Sequence, residues 1–472
     1  MKRQTGLILF TLLVLIFSSV VTAQKNNPQA TKPAATNPAE LIRSGPMLGY
    51  SELTETVVWL QSKKPCKVDL RYWKRGAQDT AKKTKAIQTE EENDLIARFA
   101  ISNLEFGARY DYEVYLDDQL LKLAYETSFQ TQAMWRYRTD PPTFKIAIGS
   151  CLYVNDPPFD RPGVPYGSGF EVFKTLAAQK PDAMIWLGDN VYYREADWVT
   201  ESGMRYRYAH TRALAEMQPL LASSHNYAIW DDHDYGPNDS DRTYRGRKTA
   251  LEIFKDYWAN QSYGTIETPG VFFRFEWGDV EFFMLDDRFH RTPNNMPVLY
   301  EREMFGKAQM RWLKESLVNS RSPFKIIVGG NQMINPMTFF ESFGNYPEEQ
   351  QELFRFIRDA RIEGVLFLSG DRHHTELLKL TVPGIYPLYE FTSSPLTSGT
   401  GRVQAEENNP ARVPNTWVTG VKNFGLIEYS LVKDENKKIV DKVLTLRTID
   451  LTGKEWWKHE IKASDLKFPR LN

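Results

Sequence analysis

Several things are scarce in this chain, and each scarcity narrows what it can be. Only two cysteines occur among 472 residues, Cys66 and Cys151, so no disulfide framework holds the fold together. The formal charge is -1 and no long basic run appears, which argues against a dedicated nucleic-acid binder. No internal repeat is visible, which sets solenoids aside. Beyond the extreme N-terminus no apolar stretch is long enough to cross a bilayer. The Gly-x-Ser-x-Gly elbow of a serine hydrolase is missing around Ser150. Hydrophobic content of 42% and charged content of 25% are ordinary for a globular protein, and the length points to two domains.

What is present begins with a targeting segment. Lys2 and Arg3 precede an almost wholly apolar run, Gly6 to Val21, and Val21-Thr22-Ala23 offers small residues for cleavage. Residues 1–23 therefore read as a signal peptide rather than an anchor, and the mature protein is expected to be exported (periplasmic, secreted or cell-surface) with no membrane span. Residues 24–40, rich in Asn, Pro, Ala, Thr and Lys, read as a flexible linker. In an exported protein the two cysteines read most simply as one disulfide. The place of Cys151 after the strand-like run Phe144 to Gly149 favours a ligand instead.

Residues 41–132 show short alternating runs, including Thr56 to Gln61, Lys67 to Trp73 and Tyr110 to Leu116, with a turn at Asp117-Asp118. They suggest a small β-sandwich that packs or spaces and carries no catalytic constellation. Residues 141–472 alternate strand and helix. Strands are expected at Ala183 to Leu187, Tyr227 to Trp230, Phe324 to Val328 and Val365 to Leu368. A hairpin is expected across Gly278-Asp279. Helices are expected near Met204 to Met217, Thr249 to Ala259, Gln309 to Val318 and from Pro347 toward Glu363. Leu426 to Leu431 and Val440 to Ile449 read as a closing antiparallel pair. The class is α/β with mixed sheets, preceded by an all-β domain.

Four strand ends carry metal-type ligands: Cys151; Asp189 with Tyr192; Asp231-Asp232-His233-Asp234 with Asn238; and Asp371 with His373 and His374. An Asp after a strand is usually a helix cap, and a lone His usually a satisfied polar residue. Four such ends on successive strands meet at one edge of an open α/β sheet, where ligands bind. Thiolate, phenolate, carboxylate and imidazole together suit Fe(III); Asn, carboxylate and water oxygens suit Ca²⁺, Mg²⁺ or Mn²⁺.

Gly-Ser-Cys151, Gly-Asp189-x-x-Tyr192, Trp230-Asp231-Asp232-His233-Asp234 with Asn238, Leu285-Asp286-Asp287-Arg288, Gln309-x-x-Trp312-Leu313, Gly370-Asp371-x-His373 and Glu390 to Gly399 resemble, in the same order, the alkaline phosphatase D (PhoD-like) family of calcineurin-like metallophosphoesterases. The resemblance implies a β-sandwich flanked by helices (αββα) and hydrolysis of phosphate monoesters or diesters, either small molecules or phospholipid and polymer phosphodiesters. It implies that Cys151, Asp189, Tyr192 and His373 hold iron. Asp189 would bridge to a second ion, Ca²⁺, completed by Asn238 and Asp371; Mn²⁺, Mg²⁺ or Zn²⁺ are alternatives. His233 stands as candidate proton donor, oriented by Asp232. Arg194 is either a phosphate-contacting fork or a salt-bridge partner, and His374 either a phosphate contact or a support behind the ligands. The loop Cys151 to Gly169 reads as a lid or a solvated loop. The competing reading is a non-catalytic cell-surface binding protein that retains the fold.

Overall fold

In the computed structural model, residues 37–401 and 404–469 are described. Residues 1–23, expected as a signal peptide, and residues 24–36 of the expected linker lie outside them. The last linker residues are not loose: Pro38–Leu41 makes one helical turn, capped by the Asn37 side chain, and Leu41 is buried.

Two large sheets face each other across one core. The first has nine strands in the order Glu455–Lys462, Ile439–Asp450, Asn423–Lys433, Phe144–Gly149, Ala183–Leu187, His225–Ile229, Ile42–Ser51, Thr56–Ser62 and Ile96–Ile101. The second has six, in the order Phe273–Trp277, Val280–Met284, Phe324–Val328, Val365–Ser369, Leu388–Thr392 and Glu376–Leu380. The central strands of each sheet run parallel. Phe144–Gly149, Ala183–Leu187, Phe324–Val328 and Val365–Ser369 are uninterrupted apolar runs, apart from single Lys residues, because both of their faces are covered. Helices Val172–Ala178, Glu201–Arg212, Gln218–Ser223 and Arg247–Tyr257 flank the first sheet, and Lys307–Asn319 and Pro347–Asp359 flank the second. This is the helix–sheet–sheet–helix order expected from the motifs. The Glu201–Arg212 helix starts earlier than its apolar spacing suggests, because the Thr200 hydroxyl accepts from the Gly203 N–H at 3.2 Å.

The N-terminal strands are built into the first sheet. Ile42–Ser51 pairs in parallel with His225–Ile229 and antiparallel with Thr56–Ser62. Period-two alternation then sends the two faces to different cores. Met47, Val57 and Trp59 enter the large core. Leu48, Val58 and Leu60 enter a smaller one, closed by the sheet of Lys67–Lys74 and Arg109–Leu116. Every residue of Thr56–Ser62 is therefore buried.

Both cysteines are free and buried. Cys66 lies in the smaller core and Cys151 at the ligand cluster, so the disulfide alternative does not occur.

Candidate metal centre

The carboxyl ends of the parallel strands from both sheets converge. Cys151 follows Phe144–Gly149, Asp189 follows Ala183–Leu187, and Asp231, Asp232 and His233 follow His225–Ile229. From the facing sheet, Asp371 and His373 follow Val365–Ser369, and Ser394 and Ser398 follow Leu388–Thr392. Four of these residues turn the chain sharply with left-handed backbone: Cys151 (φ 61°), Asp189 (φ 53°), Asp371 (φ 64°) and His373 (φ 54°). Asp and His tolerate that region better than most side chains, and Cys does so less readily. Such strain gathers where side-chain direction matters more than local comfort. Gly188 (φ 92°) is required, since a Cβ there would lie 2.6 Å from the Asp231 Cβ.

The turns bring Cys151, Asp189 and His373 into one group whose donor atoms lie within 4.8 Å of one another. The Tyr192 hydroxyl is 3.0 Å from Asp189 Oδ2 and 3.3 Å from His373 Nε2. Asp189 Oδ2 is 3.5 Å from Cys151 Sγ. A second group, Asp231, Asp232 and Asp371, adjoins it, and Asp232 also groups with Asp189 and His233. Asp232, expected to orient His233, has its Oδ2 3.9 Å from His233 Nε2, beyond hydrogen-bond reach, and also lies among these acidic donors. Asn238 is exposed on the wall of the cleft. The short turn Asp232–Tyr235 places Asp232 among the acidic donors.

The electrostatics of the groups suit cations. Burial, reinforced by Asp232 and Cys151, pushes the Asp189 carboxyl well above its ordinary value. Burial likewise raises the Cys151 thiol and the Tyr192 phenol, and lifts Asp371 to about 6 against the opposing pull of Arg372. Burial pulls His233 and His373 down. Asp232 Oδ1 is buried without a hydrogen-bond partner. So many acidic donors cannot ionise side by side in a dry site unless a cation joins them. The donor set fits: one thiol, phenol, imidazole and carboxylate group for a softer ion, and an oxygen group for a hard one.

Other residues form the frame. Asp234 Oδ2 accepts from the Asn190 backbone N–H at 3.1 Å and from its Nδ2 at 2.7 Å, locking the Asp189 loop to the Asp232–Tyr235 turn. Arg194 is buried and engaged. Its Nε donates to Asp160 at 2.9 Å, its Nη2 donates to the Val154 carbonyl at 2.9 Å, its Nη1 bonds the Tyr192 carbonyl, and its guanidinium lies 3.9 Å over the Tyr153 ring. These contacts tie its guanidinium to the loop, as in the salt-bridge alternative. His374 is fully buried, with Nε2 3.2 Å from Glu376 and Nδ1 3.7 Å from Glu406, so it supports the site from behind. Ser150 donates to the Ser393 carbonyl at 2.9 Å, an arrangement without the base a serine nucleophile needs.

Two clefts of about 640 and 670 Å³ open at this centre, and His233, Asn238 and Tyr166 line both. Tyr166, Asp160 and Lys422 were not legible as parts of the site. Tyr166 and Asp160 lie in the loop that reads as a lid or a solvated loop. Lys422, whose ammonium bonds the Ser398 carbonyl, precedes a strand far along the chain.

The family described as PhoD-like phosphatase matches residues 158–437. The chain belongs to that family. A second family, described as a domain of unknown function, matches residues 39–134. Alkaline phosphatase D of Bacillus subtilis (strain 168) is 22% identical over 284 residues, covering 49% of this chain and 48% of that protein, so the chain matches about half the length of this curated relative. A solved structure titled as PhoD superposes with a TM-score of 0.72 at 16% identity, covering 91% of this chain and 93% of that one. Purple acid phosphatase PPD1 from yellow lupin gives 0.60 at 11% identity, covering 90% and 77%. These structures share the fold of the PhoD-like chain described here.

Proposed function

We propose that the protein is an exported metal-dependent phosphoesterase that hydrolyses phosphate monoesters or diesters. The observation that carries the reading is the convergence of Cys151, Asp189, Tyr192 and His373 beside Asp232 and Asp371 at the floor of an open cleft. Family membership supports it. Cys151, Asp189, Tyr192 and His373 would hold iron, and Asp189 with Asn238 and Asp371 would hold calcium; Mn²⁺, Mg²⁺ or Zn²⁺ would be substitutes. Cations held there would supply Lewis-acid polarisation of the phosphoryl group and a nucleophile at neutral pH.

The chain's own residues do the rest. His233 stacks on the Tyr192 ring with centroids 4.1 Å apart, which fixes its plane at the mouth of both clefts. An anionic ester bound beside it favours the imidazolium, which then protonates the departing oxygen. Asp371 and Asn238 would complete the oxygen-rich side, with Asp232 beside them.

The test is hydrolysis of an aryl phosphate monoester and the matching diester, with iron and calcium supplied, by the parent and by Asp189→Asn. Turnover by the parent that the substitution abolishes, together with its bound metal, is expected. Unchanged turnover in Asp189→Asn overturns the reading. A metal-free, inert parent would leave a binding protein that keeps the fold. Phenolate ligation by Tyr192 further predicts a visible charge-transfer band in the iron form, which Tyr192→Phe removes.

A further inference from the structure

The loop from Leu152 to Gly169 contains no helix or strand, yet it is tied down at several points. The Gly167 N–H donates to Asn155 Oδ1 at 2.9 Å, and Asn155 Nδ2 donates to the Gly167 carbonyl at 2.7 Å. The Ser168 N–H donates to the Thr397 carbonyl at 2.9 Å. Tyr153 and Arg194 both reach Asp160, at 2.8 and 2.9 Å. These anchors carry Tyr166 over the candidate metal centre. Its ring meets Tyr153 and Tyr192 edge-on, with centroids 4.9 and 6.4 Å away. Its hydroxyl oxygen is 3.1 Å from His373 Nδ1.

The opposite ring nitrogen faces the ligands. His373 Nε2 lies 3.3 Å from the Tyr192 hydroxyl and 3.5 Å from Ser398 Oγ. An imidazole can present a lone pair at Nε2 only if Nδ1 carries the proton, and that N–H needs an acceptor to fix tautomer and ring plane. The Tyr166 oxygen is the acceptor placed there. Gly399 makes room for it: a Cβ at that position would lie 2.4 Å from Tyr166 Cε2.

We propose that Tyr166 is a positioning residue for the metal centre: it accepts a hydrogen bond from His373 Nδ1, fixes the ring for ligation through Nε2, and so makes the Leu152 to Gly169 loop a determinant of metal retention. The inference rests on His373 being a metal ligand and deepens that reading. It extends the centre to a loop that contributes no ligand beyond Cys151 at its root.

The test uses metal-loaded, full-length protein: the parent, Tyr166→Phe and Gly399→Ala. Each is challenged with excess EDTA, and metal remaining per chain is followed by atomic emission. Tyr166→Phe keeps the ring and removes the acceptor; metal loss about 10- to 100-fold faster than from the parent is expected. Gly399→Ala displaces the ring and leaves the hydroxyl intact, and is expected to act in the same direction. The unfolding midpoint of the metal-free Tyr166→Phe protein should equal that of the parent. Equal metal loss from the parent and Tyr166→Phe overturns the inference while leaving the metal centre standing. Faster loss accompanied by a lowered metal-free midpoint overturns the specific role in favour of a general structural one. A parent that retains no metal overturns the reading of the centre and the inference with it.

Discussion

Asp231 and Asp232 are neighbours in the chain, both buried, yet they belong to two differently built regions. Asp231 turns into a frame of compensated charge: Arg288 Nε donates to its Oδ1 at 2.6 Å and Asn331 Nδ2 to its Oδ2 at 3.0 Å. Arg288 also reaches Glu341 at 2.6 Å, and Arg291 reaches Glu341 at 2.7 Å and Asn331 at 2.8 Å. Asp232 turns toward Asp189 and Asp371, leaves Oδ1 without a hydrogen bond, and meets Arg288 only at 3.9 Å. Where acid is matched by guanidinium, the network fixes shape. At Asp232, against the push of burial, His233 and Arg288 hold the carboxyl below its ordinary value, and one oxygen stays open beside Asp189 and Asp371. Two neighbouring carboxylates thus sit in differently built surroundings.

The comparison predicts opposite failures. The largest effect is expected at Asp189, which lies between the two ligand groups. Asp189→Asn should lower phosphoesterase turnover by roughly 10⁴-fold, several kcal/mol of lost transition-state stabilisation. Added metal should raise the unfolding temperature of the parent and not that of the variant, because only a bound ligand shifts that midpoint. If the variant gained metal stability like the parent, the unmatched region would not be a metal centre.

Arg288→Met should do the reverse. It strands the buried Asp231 carboxylate, leaves Glu341 to Arg291 alone, and should cost about 3–5 kcal/mol in urea unfolding of the metal-free protein. A loss below about 1 kcal/mol would mean that the network is not the frame.

His225 sharpens the contrast, as a buried titratable group fully matched in its neutral form. Its Nδ1 lies 2.9 Å from the Gly49 carbonyl, and the Gln130 N–H donates to its Nε2 at 3.2 Å. Burial pulls its pKa down to about 4, against weaker opposing pulls from Gly49 and Asp182. Below pH 6.5 the unfolded chain takes up a proton there that the folded chain refuses. Stability is therefore lost as pH falls from 6.5 toward 4, by about 3 kcal/mol. His225→Gln should flatten that part of the profile, measured by denaturant unfolding across the range.

The smallest effect is expected at Arg194. As a brace it should lose about 1 kcal/mol on replacement by Lys, which cannot reproduce the planar fork. KM for an aryl phosphate should stay unchanged. A several-fold rise in KM at constant stability would return Arg194 to the substrate.

The strand ends were legible because a buried parallel strand leaves a continuous apolar run, and Gly-Asp after such a run marks the turn. Ala183–Leu187 and Val365–Ser369 lie where that pattern places them. That Asp232 lies among the acidic donors was not legible, since a single four-residue turn decides which side chain faces inward. Tyr166 was hidden for a related reason: nothing in a Pro- and Gly-rich loop says which residue folds back onto the ligands. The strands Glu376–Leu380, Leu388–Thr392 and Glu455–Lys462 also escaped notice, because polar residues such as Glu376, Glu390 and Lys458 interrupt their apolar pattern. Thr56–Ser62 did carry a clue. Val57, Val58, Trp59 and Leu60 are apolar on both parities, as a strand shared by two cores must be.

That shared strand has a consequence for ancestry and engineering. A module joined by a tether can be traded between proteins or clipped away by a protease without harm to its neighbour. Here the wall between the two hydrophobic interiors is one pair of strands, Ile42–Ser51 and Thr56–Ser62, with Met47 and Trp59 on one side and Leu48 and Leu60 on the other. Neither half can be cut out without exposing the other's interior to water, so the two have to be inherited, expressed and redesigned together.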